Sequence, residues 1–525
     1  MKLLHNARVH TLDPSRPVAS ALMIDGECIR AVGGEELVLE FDRAPRQDLD
    51  GGVVLPGLTD AHLHLQEYVT SRQMVDCEVD SKTECLRRVS DRARQTPVGE
   101  WVRGHGWNQN EWGGDWPSAA DLDAVAPDHP VYLTAKSLHA AVANRAAMQR
   151  AGLTLSTPEP ANGIIQRNEQ GHPTGLLFEG ATRLVEESIP EPSAEARASS
   201  LQRTLPELWR MGLTGVHDFD RWTCFRALQT LHERGELALR VVKSIPFDLL
   251  PQAVGLGLRS GTGDETLRLG SLKLFADGAL GPHTAAMFDP YVDEEENCGI
   301  LNLDGEAIFE IGRQAAECGL GLAVHAIGDR ANHEVLDGFA RLRAYEREHG
   351  LPALRHRIEH VQLLHPQDAG RLAELEVIAS MQPIHATSDM PVADHCWGGR
   401  CRLAYAWRTQ LHYGAALAFG SDAPVESPNP FWGLHAAVTR RRADGSPGPD
   451  GWFPEQRLTF QEALEGFTLG PAYAAGMEDR LGRLAPGYLA DLVLLGEDPF
   501  VCDPSELRTM QPVATMIGGE WVWRS

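Results

Sequence analysis

The chain has little sulfur chemistry, no long apolar run and no excess of positive charge, and each absence removes a class of protein. Its 525 residues hold nine cysteines, an odd number scattered from Cys28 to Cys502. That is not a disulfide framework, and it fits a reducing compartment. The nearest pair, Cys396 and Cys401 after His395, has no second pair to complete a metal site and reads as a loop with buried thiols. No window approaches the roughly 20 apolar residues that cross a bilayer. The opening Met1-Lys2-Leu3-Leu4-His5-Asn6-Ala7-Arg8 has no apolar core followed by a small-residue cleavage site. A cytoplasmic protein without a membrane partner is expected. Basic residues number 48 against 73 acidic ones, a net charge of −25, which leaves no electrostatic footprint for nucleic acid. Repeats of solenoid period and low-complexity tracts are missing as well. What remains is a soluble-type composition, 43% hydrophobic, in a chain long enough for one large domain and a smaller one.

The stretch Leu55-Pro56-Gly57-Leu58-Thr59-Asp60-Ala61-His62-Leu63-His64 is strand-like and ends in two histidines spaced one apart. On a strand such residues point to the same side, about 7 Å apart, close enough to share a cation. Alone the pair is weak evidence in a chain with 21 histidines. Three further apolar runs also end in a metal-ligand type: Gly321-Leu322-Ala323-Val324-His325, Arg357-Ile358-Glu359-His360 and Leu417-Ala418-Phe419-Gly420-Ser421-Asp422. A fourth, Leu269 to Phe275, carries Lys273 inside an apolar strand. A free ammonium is costly to bury, so this lysine must be paired, shifted in pKa or chemically modified.

Strands alternate with helical stretches at 193–211, 304–318, 366–375 and 459–475, the pattern of βα units on a parallel sheet. Candidate strands end near His64, Gly104 to Trp107, His217, Lys243 to Ile245, Lys273, His325, His360, His385 and Asp422. That is one too many for an α/β barrel of eight, and either the Gly104 or the Lys243 segment is the extra one. In such a barrel, side chains at the C-terminal strand ends converge on one face. Residues 1–54 and 480–525 both read as short strands, with an Asp25-Gly26 hairpin signal, and predict a composite β-sandwich domain. The barrel is then 55–479, interrupted by an inserted subdomain at about 101–190 near its mouth. That insertion holds Trp107, Trp112 and Trp116, candidates for lining an apolar pocket, with Trp107 the one expected to contact substrate. His217 with Asp218 reads as a structural pair.

As an ordered set, these motifs resemble the metal-dependent amidohydrolase superfamily, and specifically its YtcJ-like branch with the N-substituted formamide deformylases. The phrases carrying the resemblance are Val54 to His64, Leu272-Lys273-Leu274-Phe275-Ala276-Asp277-Gly278, Val324-His325-Ala326-Ile327-Gly328-Asp329, Ile358-Glu359-His360, Gly420-Ser421-Asp422-Ala423-Pro424-Val425 and Leu484 to Leu492. The resemblance spans about residues 3 to 523. It implies a (β/α)8 TIM-like barrel with His62, His64 and Asp422 on one zinc ion and His325 and His360 on a second. Lys273, carboxylated by carbon dioxide, would bridge the two in a binuclear centre, and Asp422 would be the catalytic proton carrier. His139 and His385 resemble positions that surround the substrate. Two departures, Asn108 after Trp107 and Pro282-His283 after Gly281, fall where substrate would sit. The implied activity is hydrolysis of an amide, N-acyl or N-formyl bond of a small molecule. A lyase on the same metals, or a non-catalytic regulatory barrel, are the alternatives, and a homodimer is the default assembly.

Overall fold

The computed structural model describes residues 1–109, 112–135, 140–160, 163–292 and 294–525. Eight parallel strands form one sheet whose order follows the chain: β1 (Leu58–Leu63), β2 (Leu213–Asp218), β3 (Arg240–Pro246), β4 (Leu267–Phe275), β5 (Leu322–Ala326), β6 (Arg357–His360), β7 (Ile378–Met381) and β8 (Leu417–Phe419). The Lys243 segment is therefore a barrel strand, and the Gly104 to Trp107 segment lies in another sheet. Every residue of β6, β7 and β8 is buried, as expected for strands covered on both faces. Helices pack outside them. Asp304 accepts a hydrogen bond from the Ala307 amide and caps the helix Gly305–Glu317. That helix packs beside Asp329–Glu348, which buries Val335, Leu336, Phe339 and Leu342. The helical stretches expected at 366–375 and 459–475 are each split into two short pieces.

No ladder joins β8 to β1, yet the barrel is nearly closed there. The Asp422 amide donates to the His62 carbonyl (2.7 Å) and the His64 amide to the Ala423 carbonyl (2.8 Å). Between the strands, the buried Asp60 carboxylate accepts the His62 amide (3.0 Å), the Ser421 amide (3.1 Å) and the Ser421 hydroxyl (2.5 Å). Gly420 sits in this seam, where a Cβ would stand 2.4 Å from the His62 nitrogen.

The chain ends build two further sheets. A six-stranded one mixes both termini, with Val53–Pro56 antiparallel to Leu492–Leu495. A four-stranded one is N-terminal only and contains the predicted hairpin of Ala21–Asp25 and Cys28–Gly33. Leu4, Leu22 and Ile24 of the smaller sheet share an apolar cluster with Val54, Leu492 and Met516 of the larger.

Met1–Glu67 and Ala194–Ser525 form one compact unit and Tyr68–Ser193 a second. The second unit starts well before the expected residue 101. Helix Lys82–Gln95 contributes Cys85, Val89 and Ala93 to the same core as Val102 and Leu133, so it folds with the sheet that follows it. That sheet has six strands, with Val102–Trp107 parallel to Val131–Ala135. Trp107 is 0% exposed in this core and its indole donates to the Leu133 carbonyl (2.9 Å). Its expected place as pocket lining is thus corrected: the ring is used up in packing. Among the described residues no helix is long and apolar enough to cross a membrane.

Candidate metal centre

The ends of β1, β4, β5, β6 and β8 bring the predicted ligands together. His62 and His64 each place Nε2 3.4 Å from Asp422 Oδ1, and one donor atom from each of the three lies within 4.8 Å of the others. The His360 ring centre is 5.0 Å from that of His62 and 4.6 Å from that of His325. Lys273 Nζ lies 4.8 Å from the ring centres of both Phe219 and Phe275. Among the described residues no carboxylate comes within 4.0 Å of it. In particular Asp277 does not pair with it, because that carboxylate accepts the amides of Ala286, Ile327 and Gly328.

His385 is not at a strand end. β7 stops at Met381, Pro383 starts the helix Pro383–Trp397, and His385 sits in its first turn. Its Nε2 is nevertheless 3.5 Å from Asp422 Oδ2, and His360, His385 and Asp422 make a second trio of converging donors. His139 lies outside the described residues. Two site residues hold strained backbone: His360 has φ +76° and Asp422 φ +60°, a region non-glycine residues avoid unless the surroundings impose it.

Hydrogen bonds on the far side of each ring decide which nitrogen is available to a cation. His62 Nδ1 lies 2.6 Å from Glu359 Oε2 and His360 Nδ1 2.8 Å from Gln382 Oε1, which leaves both Nε2 lone pairs facing the centre. For His325 the order is reversed: Nε2 is 2.8 Å from the Gly278 carbonyl, which leaves Nδ1.

The sequence matches the amidohydrolase family over residues 47–523. The chain belongs to that family. It is 32% identical to YtcJ of Bacillus subtilis, the alignment covering 99% of this chain and 98% of that one. An N-substituted formamide deformylase of Arthrobacter pascens is 30% identical over 98% and 97% of the two chains. The crystal structure of an uncharacterized metal-dependent hydrolase from Pyrococcus furiosus superposes with a TM-score of 0.79 at 30% identity, covering 95% of this chain and 99% of that one.

The electrostatics of this amidohydrolase suit a divalent cation. Burial, aided by the nearby Lys273 charge, pushes His62 down to about 4 and His325 to about 3, so both are neutral imidazoles. Burial lowers His360 as well. For His64 burial works downward, but Asp220 and Asp422 outweigh it and push the imidazole up to about 9. Burial opposes ionisation of Asp422, yet His385 and His64 hold it well below the usual carboxylate range. Burial also brings Lys273 down to about 8, which favours the neutral amine that carboxylation requires. Neutral imidazoles at His62, His325 and His360 with carboxylate oxygen are the donor set of zinc, and a cation bound at His64 must displace the proton that Asp220 and Asp422 hold there.

A third trio, Asp218, Asp220 and Cys224, already holds a cation of its own: Lys243 Nζ lies 2.9 Å from Asp218 Oδ2. His217 and Asp218 are thus not a pair, since His217 Nδ1 accepts from Arg357 (2.9 Å). His283 links Glu294 (2.5 Å) to Cys396 Sγ (3.1 Å) and so ties the loop after β4 to the helix after β7. Glu359 stands inside the Arg357-Ile358-Glu359-His360 motif without an expected role, and none was expected for Gln382, Asp220 or Phe219, which stacks on His62 at 4.2 Å. A buried acid beside a ligand was the available signal for Glu359.

Proposed function

We propose that this amidohydrolase cleaves a carbon–nitrogen bond of a small amide, N-acyl or N-formyl compound in a metal-dependent reaction. His62, His64 and Asp422 would hold one zinc ion, His325 and His360 a second, and carboxylated Lys273 both. The observation that supports this reading most is the convergence of the His62, His64 and Asp422 donor atoms at the C-terminal ends of β1 and β8. The formamide deformylase relative supports the bond type. A divalent cation here supplies Lewis acidity, lowering the pKa of water and polarising a carbonyl.

The protein's own groups do the rest. Asp422 presents Oδ1 toward His62 and His64 and Oδ2 toward His385. It is the group placed to take the proton of the attacking water and return it to the departing nitrogen. His385, held beside Oδ2, is placed to contact the polar end of the substrate.

The test is elemental analysis of protein purified without chelator and supplied with bicarbonate, beside the Lys273→Ala variant and a panel of N-formyl compounds and amides. About two zinc per wild-type chain, as in bridged two-metal sites, with loss in the variant and turnover of a panel member, is the expected result. A metal-free protein without turnover overturns the reading.

A further inference from the structure

Inside the barrel, below the metal centre, lies a group of charges that the proposed reaction does not use. Arg357 and Glu359, two apart on β6, are both buried, and Glu359 is 0% exposed. Such burial is tolerable only for ions that are paired and hydrogen-bonded. Among the described residues the polar groups facing the carboxylate are donors; Oε2 carries the hydrogen bonds and Oε1 makes only an ion contact. Oε1 is 2.5 Å from Arg357 Nε. Oε2 faces His62 Nδ1 (2.6 Å), the Ser380 hydroxyl (2.5 Å) and Arg357 Nη2 (3.0 Å). Arg357 is fastened in turn to the Ala61 carbonyl (2.8 Å) and to His217 Nδ1. Ala61 precedes His62, so the same guanidinium holds the backbone of β1.

We infer that Glu359 is a positioning residue for metal binding, fixing His62 as the Nδ1–H tautomer so that Nε2 is the ligating nitrogen. The inference rests on the metal-centre reading above. A neutral amide cannot replace the carboxylate, because glutamine has one acceptor oxygen and must turn its NH2 toward one of these donors. Turned toward His62, the NH2 donates to Nδ1 and drives the ring proton onto Nε2, which removes the ligand. Turned toward Arg357, it sets donor against donor beside a buried guanidinium. In the first arrangement His62 loses its ligating lone pair; in the second it keeps an acceptor, but a neutral one that raises the basicity of the imidazole less than a carboxylate does, so in both His62 binds a cation less well.

The experiment is zinc affinity by competition with a chromophoric chelator, for wild type, Glu359→Gln, Glu359→Asp and the double variant Arg357→Met/Glu359→Leu. Circular dichroism of each metal-free protein reports folding. The double variant removes both buried charges together, a change that buried pairs tolerate, and keeps the test valid if Glu359→Gln does not fold. Glu359→Gln and the double variant are expected to bind zinc about 10- to 100-fold more weakly, the usual effect of losing a carboxylate behind a metal-bound histidine. Glu359→Asp keeps the charge for Arg357 but is one methylene short of His62, so its affinity stays lowered. Full recovery in Glu359→Asp would show a purely charge-balancing role and overturn the inference, as would zinc affinity within twofold of wild type in the folded Gln or double variant. A wild type that binds no zinc overturns the metal-centre reading itself, and this inference with it.

Discussion

Replacing Gly420 by alanine tests whether the seam between β8 and β1 sets the metal centre. The added Cβ would stand 2.4 Å from the His62 nitrogen, 2.6 Å from Asp60 Oδ1 and 3.0 Å from the His62 Cα. Since a carbon contact relaxes near 3.5 Å, the strands must part by about 1 Å. Gly420 does not have a positive φ, so the effect is steric and not conformational. Overpacking of this kind costs about 1–3 kcal/mol. The displacement falls between Asp422 and the two histidines 3.4 Å from it, and a misplacement of that size can lower turnover by about 10²-fold. The assay is chemical unfolding monitored by tryptophan fluorescence, together with zinc content after dialysis. Gly414→Ala is the control. Its φ is +90° with no atom within 4 Å of the new Cβ, so it should lose stability through backbone strain alone and keep its zinc. A Gly420→Ala protein with wild-type stability and full zinc content would refute the reasoning.

Asp218→Asn takes the carboxylate from Lys243 and leaves the buried ammonium on the Asp220 and Asp218 carbonyls, and both side chains are 0% exposed. A loss of about 3–5 kcal/mol is expected from the urea unfolding curve, and a change under about 1 kcal/mol would contradict it. His435 is held neutral by burial, with Arg508 and Arg441 adding to the effect, and its pKa falls from 6.5 to about 4. The unfolded chain therefore binds this proton first, so the wild type should lose stability relative to His435→Leu as pH falls from 6.5 toward 4. Above pH 7 the difference between the two should be flat. A pH-independent difference across the whole range would show that His435 is not buried neutral. Removing metal with a strong chelator should abolish turnover and restoring zinc should return it, read on whichever N-formyl or amide compound the wild type hydrolyses.

Much of this protein was legible in order along the chain. The residues proposed as ligands end apolar strands, and strand geometry alone puts His62 and His64 on one side. The alternation of strands and helices specified a parallel barrel, and the strand-like character of both termini anticipated the sheet in which Val53–Pro56 pairs with Leu492–Leu495. These features are local, or repeat with a local period, so composition and spacing carry them.

Other features exist only once distant segments meet. Whether Lys243 or Gly104 belonged to the barrel depended on which neighbour each strand hydrogen-bonds, and nothing in either segment says so. Trp107 looked available for a ligand until its ring was buried against the core of the second unit. Glu359 acquired a role because Arg357, Ser380 and His62, from three strands, crowd donors around one carboxylate. His385 reached Asp422 from a helix and not from a strand end. The sequence by itself determined which residues can hold a metal and the family to which they belong, because ligand type and strand period are local properties. The tertiary structure decided which nitrogen of each imidazole faces the centre, because that choice belongs to the partner on the other side of the ring.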